Sequence, residues 1–564
     1  MKWLIIIFFL CLSCTKKELE NERNHLNQVS GPYSHLDPQV ATGLAANLIM
    51  AKSYESLYEV NPYHAPFDLL PLLASELPEI SKDGLVYKIK IRKNVKYHAH
   101  KCLREDRVVT ANDFVTTFKR ISDPKLLSPH YTYFSKYING LDKWYEEQKG
   151  KNVTQYDVEL NGVKAIGDHI LQITLRSPSI DFVHILTSVN TTPIPLELIK
   201  CLENDLSRNM VGTGPFVLHK EIPNHKLEFK KFKNYREVVF PTRAHEKYKK
   251  IIEDNKGKQL PLIDSITTHI SKEAQTSWLN FLKGNIDYLE VEKDNHNDVF
   301  NGHMITKDMK DKGFRVGIDR GDGNLYYFGL NNKNNLLRHK DVRKAIALAI
   351  DHERFNDLFF NGQGVVAKSF LPPKVPGNES VLDGHFEAKD IKRAKELLKP
   401  YANELKPISI LVKNKTVSRQ VGEFLKNELA SVGIQANVET VSFPNLLKRA
   451  NAGKFDIFYL SWYVGLPKGL EFFELIYGGN YPGSYNRVGF QNTEFDKLFE
   501  RAKKSLSLKK QSELVEELNR IAVVELPLIP LLHARTSFIH HVSLKNYVPS
   551  GQMGGLEKYF SIQR

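Results

Sequence analysis

Residues 407–465 read PISILVKNKTVSRQVGEFLKNELASVGIQANVETVSFPNLLKRANAGKFDIFYLSWYVG. The run Ile408-Ser409-Ile410-Leu411-Val412 is short, apolar and β-branched, and it predicts a buried strand. Val421, Phe424, Leu425, Leu429 and Val432 then fall on one face of a helix. Gly433 stands where a helix ends in a left-handed residue. Ile434, Ala436 and Val438 alternate as in a strand. Ser442 caps a second helix with Pro444 in its first turn and Leu446, Leu447 and Ala450 facing inward. Asn451-Ala452-Gly453 breaks that helix, and Phe455–Ser461 is again a strand. The order strand, helix, strand, helix, strand predicts parallel strands joined by right-handed crossovers. Ligands of such sheets bind beyond the carboxyl ends of the strands. Ser461-Trp462-Tyr463-Val464-Gly465 occupies that place here. A ligand-facing Trp462 and a Trp462 that covers a core both fit the pattern.

The chain has 564 residues, too many for one core, so about two to four domains are expected. Net charge is +14, from 79 basic and 65 acidic residues spread along the chain without a long basic block. With no nucleic-acid-binding motif beside it, this charge reads as a solvated surface and argues against a nucleic-acid partner.

Residues 1–13 predict an export signal: Lys2, then an apolar run from Trp3 to Leu12 too short to span a bilayer as a helix. Ser13-Cys14 followed by Thr15-Lys16-Lys17 is similar to a bacterial lipoprotein signal, which makes Cys14 the lipidated mature N-terminus. Cys11 and Leu12 depart from that pattern, and a plain secretory signal is the competing reading. Residues 14–30 are read as a flexible tether. Cys102 and Cys201 remain, 99 positions apart; an exported compartment permits a bridge, but spacing does not decide whether they meet.

Elsewhere, Asp83-Gly84 predicts a hairpin leading into a strand through Tyr87, Ile89 and Ile91. Thr110 caps a helix through Phe114 and Phe118, and residues 163–175 form a strand pair around Gly167-Asp168. Gly212-Thr213-Gly214 precedes a strand, not a helix, and lacks the Lys-Ser/Thr of a phosphate loop; close chain approach explains its glycines. Residues 326–331 lead to a helix predicted from Asp341 to Phe360. Residues 495–502 and 514–525 are helical in pattern, and the prolines of 526–531 extend it. No nucleophile elbow, zinc helix or Walker loop is present in the sequence. His98-Ala99-His100-Lys101-Cys102 reads as a polar surface loop, not a metal site, and His540-His541 is weaker still as a metal candidate.

Several segments, in order, resemble one family. They are Leu36-Asp37-Pro38, Tyr54-Glu55-Ser56-Leu57, Pro71-Leu72-Leu73-Ala74, Asp83-Gly84-Leu85-Val86-Tyr87 and Val108-Val109-Thr110-Ala111-Asn112-Asp113. Gly212-Thr213-Gly214-Pro215-Phe216, 341–351, Val432-Gly433-Ile434 and 455–462 follow. Together they are similar to the family 5 bacterial extracellular solute-binding proteins of the oligopeptide- and dipeptide-binding type. The resemblance implies an α/β, two-lobed periplasmic binding protein (type II, cluster C-like) with an extra α+β domain inserted in the first lobe. On this chain it implies residues 31–57 with 190–322 and 530–564 as lobe I, 58–189 as the inserted domain and 323–529 as lobe II. It implies a monomeric, non-enzymatic binding protein without cofactor. Held in the periplasm or cell envelope by an N-terminal lipid, it would take peptides in an interlobe cleft and deliver them to the permease subunits of an ABC importer. Ser461, Trp462 and Tyr463 match the stretch that meets ligand backbone; Asn486 and Arg487 lie in the matching later segment, and Asn331 is counted with them. Two departures stand out. Gly465 replaces the Asp that pairs with a peptide's ammonium, which nominates Glu471 as the substitute or else a non-peptide solute, an oligosaccharide or metal chelate. Residues 99–106 are an insertion. An exported hydrolase is the remote alternative.

Overall fold

The structure is a computed structural model that describes residues 24–65, 68–302, 304–319, 323–373, 375–378, 388–464, 468–482, 485–550 and 553–564. The export signal, Cys14 and Gly465 lie outside the described residues. The chain divides into two compact units: residues 1–318 with 537–564, and residues 319–536.

Unit 1 opens with strand β1 (His25–Ser30). The tether reading of 14–30 is therefore corrected for residues 25–30. Leu26 and Gln28 turn inward in a short segment whose polarity hid its period of two. Next comes a sheet ordered β2 (Glu79–Ile80), β3 (Val86–Lys90), β5 (Ile170–Thr174), β4 (Val163–Ile166), all antiparallel. Helix α1 (Ala111–Ile121) starts at the predicted Thr110, where Thr110 and Asp113 form a reciprocal capping box. A core of Tyr87, Ile89, Phe114, Phe118, Trp144 and Leu171 belongs to this segment.

The second sheet of unit 1 is ordered β1, β8 (Ser265–Ile270), β7 (Lys226–Lys231), β6 (Phe216–Ile222), with β1 and β8 parallel and the other pairs antiparallel. Helix α2 (Ala274–Leu282) follows β8. Gly212 has a steric reason: a Cβ there would sit 1.9 Å from the Ser53 carbonyl oxygen, while Gly214 N–H donates to that oxygen at 2.8 Å. Cys102 and Cys201 are joined in a disulfide with Cα atoms 5.8 Å apart, which answers the question their spacing left open.

Unit 2 is built on a six-stranded sheet ordered β10 (Val365–Val366), β14 (Leu528–His533), β9 (Asn324–Leu330), β13 (Ile457–Tyr463), β11 (Ile408–Lys413), β12 (Ala436–Val441). The pairs β11–β12 and β11–β13 are parallel, as the repeating order requires. The connecting helices are α6 (Thr416–Ser431) and α7 (Phe443–Asn451), and Gly433 after α6 has φ of 90°. The other pairs are antiparallel, so the sheet is mixed. All six residues of β14 are buried between β9 and β10. The strand therefore belongs to this unit, and the lobe boundary expected after 529 falls inside it. The predicted helix 341–360 is two helices, α3 (Lys340–Ala349) and α4 (His352–Phe360). Ile350 is extended, and the Asp351 carboxylate accepts from Arg354 N–H at 2.9 Å to cap the second. Helix α5 (Ile391–Leu398) joins α3 and α6 over one sheet face, in a core with Phe328, Ile410 and Tyr459. Helices α8 (Thr493–Lys503) and α9 (Leu508–Glu525) cover the other face, with Tyr327, Phe458 and Leu460. Successive strand residues thus feed two cores, which is why these strands read as unbroken apolar runs.

Candidate ligand-binding site

The carboxyl end of β13 is positioned by its antiparallel partner β9, with Ser461 opposite Tyr326 and Trp462 opposite Leu325. Val464 N–H donates to Gly323 O at 2.7 Å, and Asn331 N–H donates to Asp456 O at 2.9 Å. Alternation between these two bonds turns the main-chain N–H and C=O of Leu460 and Trp462 toward β9 and those of Ser461 away from it. On that other side the ladder with β11 registers Ile457 and Phe458. The main chain of Ser461 lies past the end of that ladder, on an edge able to take a further strand.

Side chains at this end divide between the two faces. Tyr326, Ser461 and Tyr463 share one face, and the hydroxyls of Tyr326 and Tyr463 are hydrogen-bonded at 2.7 Å. Tyr463 is 51% exposed. Trp462 is on the opposite face, half-buried against the second core of the unit. Its indole N–H donates to the Glu471 main-chain oxygen at 3.0 Å, and its ring meets Tyr485 edge-on at 5.1 Å. The core-covering reading of Trp462 holds for one side of the ring; the remainder borders the strand end. Glu471 lies in the short helix Leu470–Phe473, and its Oε2 is withdrawn from solvent. Burial, with Glu474 nearby, raises the Tyr485 hydroxyl above its usual range.

Three predicted residues are not at this end. Asn331 continues β9, but antiparallel pairing puts the carboxyl end of β9 beside the amino end of β13. Its Nδ2 donates to Gly453 O and Phe455 O at 3.1 and 2.8 Å. Six residue steps along β13 separate it from Trp462, about 20 Å of extended chain. Arg487 donates from Nε to Asn451 Oδ1 at 2.9 Å, at the end of α7 where the chain turns toward the start of β13. Asn486 is fully buried: its Nδ2 donates to Tyr477 O and Phe490 O, and its Oδ1 accepts from Gly489 N–H. It staples its own loop and has no surface to offer a ligand. Tyr326 and Tyr485 were missed. Tyr326 could have been found by pairing β9 with β13 antiparallel, whereas Tyr485 carries no local signal.

The predicted surface reading of His98 is also corrected, because that side chain is buried. It bonds Gly214 O through Nε2 at 2.9 Å and packs edge-on against Phe232. Burial pulls its pKa down to about 4. Among the described residues no group of three or more His, Cys, Asp or Glu is arranged to hold a metal ion, and no helix is long and apolar enough to cross a membrane.

The family described as bacterial extracellular solute-binding proteins, family 5 (middle region), matches residues 68–484. The chain belongs to the family 5 solute-binding proteins. The match spans the segment 79–174 of unit 1 and β9 to β13 of unit 2, and it places the chain among binding proteins, not enzymes. The chain is 23% identical to the oligopeptide-binding protein OppA of Bacillus subtilis, over 97% of this chain and 96% of that protein. It is 25% identical to heme-binding protein A of Haemophilus influenzae, over 91% of this chain and 87% of that protein. The solved structure of the ABC transporter-associated periplasmic binding protein DppA from Helicobacter pylori, in complex with the peptide STSA, shares the fold. Its TM-score is 0.72 at 19% identity, over 97% of this chain and 99% of that one.

Proposed function

We propose that this family 5 protein is the peptide-capturing subunit of an ABC importer. The observation that carries the reading is the main-chain edge of β13 at Ser461, at the carboxyl end of the sheet of a solute-binding protein. A peptide's backbone adds there as a further strand, and its N–H and C=O groups replace water on Ser461. Trp462 and Tyr463 border that strand on opposite faces and give apolar contact without side-chain selectivity. Glu471, whose main chain anchors the Trp462 indole, supplies the charge for the peptide's ammonium in place of an Asp at Gly465. Cys14 carries the lipid that holds the protein in the periplasm or cell envelope, where as a monomer it docks on permease subunits. Residues 58–189 act as the inserted domain of the first lobe.

The names of the relatives support this reading, one being called oligopeptide-binding and one resolved with a bound peptide. The heme-binding name of another keeps a metal-chelate ligand as the second reading. Native mass spectrometry of the purified protein, followed by denaturing release and sequencing of what is bound, separates the two. A mixture of short peptides is expected. A single defined metal complex or sugar overturns the substrate class and leaves the family assignment intact. Calorimetry of Glu471→Gln on ligand-stripped protein is expected to weaken peptides with a free amine about tenfold or more and N-acetylated peptides little. Equal losses for both remove Glu471 from the role.

A further inference from the structure

The sheet of β1, β8, β7 and β6 has two unlike faces. One is core, with Leu26, Leu227, Phe229 and Ile266. The other carries His25, Asn27 and Val29 on β1 and His269 on β8, in the parallel register that sets Val29 beside His269. A cavity of about 630 Å3 opens against this face, closed by Thr276, Ser277 and Asn280 of α2 and by Arg564. His225 joins it from the turn before β7, where its main-chain oxygen accepts from Ile270 N–H at 2.8 Å.

The lining is rich in donors and, among the described residues, includes no Asp or Glu side chain. The acidic side chains nearest to it are already engaged. Asp287 accepts from Asn27 N–H at 2.7 Å through Oδ2 and from Arg564 Nη2 at 2.8 Å through Oδ1. Glu228 is paired with Lys226 at 2.7 Å. Three imidazoles, a guanidinium and neutral amides and hydroxyls thus meet in one concavity of ligand size. We propose that this cavity is a second ligand site, taking the oxyanion of a small phosphate- or carboxylate-bearing molecule on His25, His225 and His269 beside Arg564.

The charge balance around the imidazoles agrees. Burial lowers the His269 pKa, and Lys226, His225 and His25 add to the effect. Burial also lowers that of His25, with Asn27 and Asp287 opposing. An anion among these groups reverses the repulsion and draws protons onto the rings, so its affinity rises as pH falls. A neutral sugar on the same donors carries no such linkage.

Sulfate tests this, because its charge is constant over the range in which imidazoles titrate. Calorimetry on the full protein is expected to show the sulfate dissociation constant falling about threefold or more between about pH 7.5 and about pH 5.5. The double variant His225→Gln, His269→Gln is expected to lose about tenfold in affinity at the lower pH. Asn280→Asp, which adds a carboxylate to the lining while leaving the histidines in place, is expected to weaken sulfate at least as much, with peptide affinity unchanged for all variants. Vesicles containing phosphatidylglycerol distinguish the source of the oxyanion. Capture that these variants abolish identifies a lipid head group, and sulfate binding without capture identifies a free solute. Sulfate affinity that is undetectable, independent of pH, or untouched by the variants overturns the site, whether or not peptides bind.

Discussion

In the proposed site, Trp462 carries two duties in one side chain. Its N–H is committed to the Glu471 main chain, so the hydrogen bond positions the ring and leaves only ring surface for a ligand. Trp462→Ala is expected to weaken peptide binding by about 1.4–2.8 kcal/mol, roughly tenfold to a hundredfold. Trp462→Phe, which keeps the face and loses the N–H, is expected to recover part of that loss. Calorimetry on stripped protein reads both; equal affinity for wild type and alanine variant would assign the ring wholly to the core. Asn486 makes the opposite case. Truncating it to Ala strands the Gly489 N–H and the Tyr477 and Phe490 carbonyls in the interior. A stability loss of about 2–4 kcal/mol is expected in urea titrations. A ligand-facing Asn486 would instead lower affinity and leave the midpoint in place.

At the scale of the element, β13 is the informative one. Its bonds to β9 alternate so that the Ser461 N–H is not spent on the sheet. Proline is tolerated in strands where the missing N–H would have faced outward. Ser461→Pro is therefore expected to reduce peptide affinity about tenfold or more while the thermal midpoint moves by only a few degrees. Unchanged affinity would remove the strand-addition geometry. The strand-helix order of 408–463 was legible because each element there declares itself by local period, and parallel neighbours follow from the crossovers. The place of Asn331 was not, since it depends on β9 running against β13, a pairing between segments more than a hundred positions apart. The split between α3 and α4 was missed because the apolar spacing continues across it. Only Asp351 as a cap, followed by Arg354 N–H, marked the break. Within the candidate site, the grouping of 461–463 with 471 was legible, because sequence neighbours stay together there. At Asn486 and Arg487, loop geometry took over and drew both side chains into contacts of their own.

For the whole molecule, each unit holds a neutral histidine deep in its interior. His98 lies in unit 1 and bonds Gly214 O; His533 lies in unit 2, and its Nδ1 bonds Asn324 O at 2.7 Å. Burial lowers both from 6.5 to about 4. The charged form is the one that folding disfavours. Between those limits the unfolded chain binds more protons than the folded one, so stability rises with pH through the window. It is complete above about pH 6.5 and falls as pH drops toward about 4, by at most about 3 kcal/mol for each histidine. His352 shifts in the same direction by burial. Urea unfolding of stripped protein at about pH 7, 5.5 and 4.5 is expected to show midpoints falling for both units. His533→Gln is expected to reduce the slope for unit 2 alone and leave the part due to His352, since its replacement does not titrate. Midpoints constant across the range, or a unit 2 slope as steep in the variant as in the wild type, would take His533 out of this role; acid sensitivity confined to lower pH would lie in paired carboxylates, as in unit 1 at Glu55, which Arg236 at 2.6 Å holds low against burial. Those carboxylates act further down the scale, near the ordinary carboxylate range, so the position of the slope on the pH axis decides between the two causes.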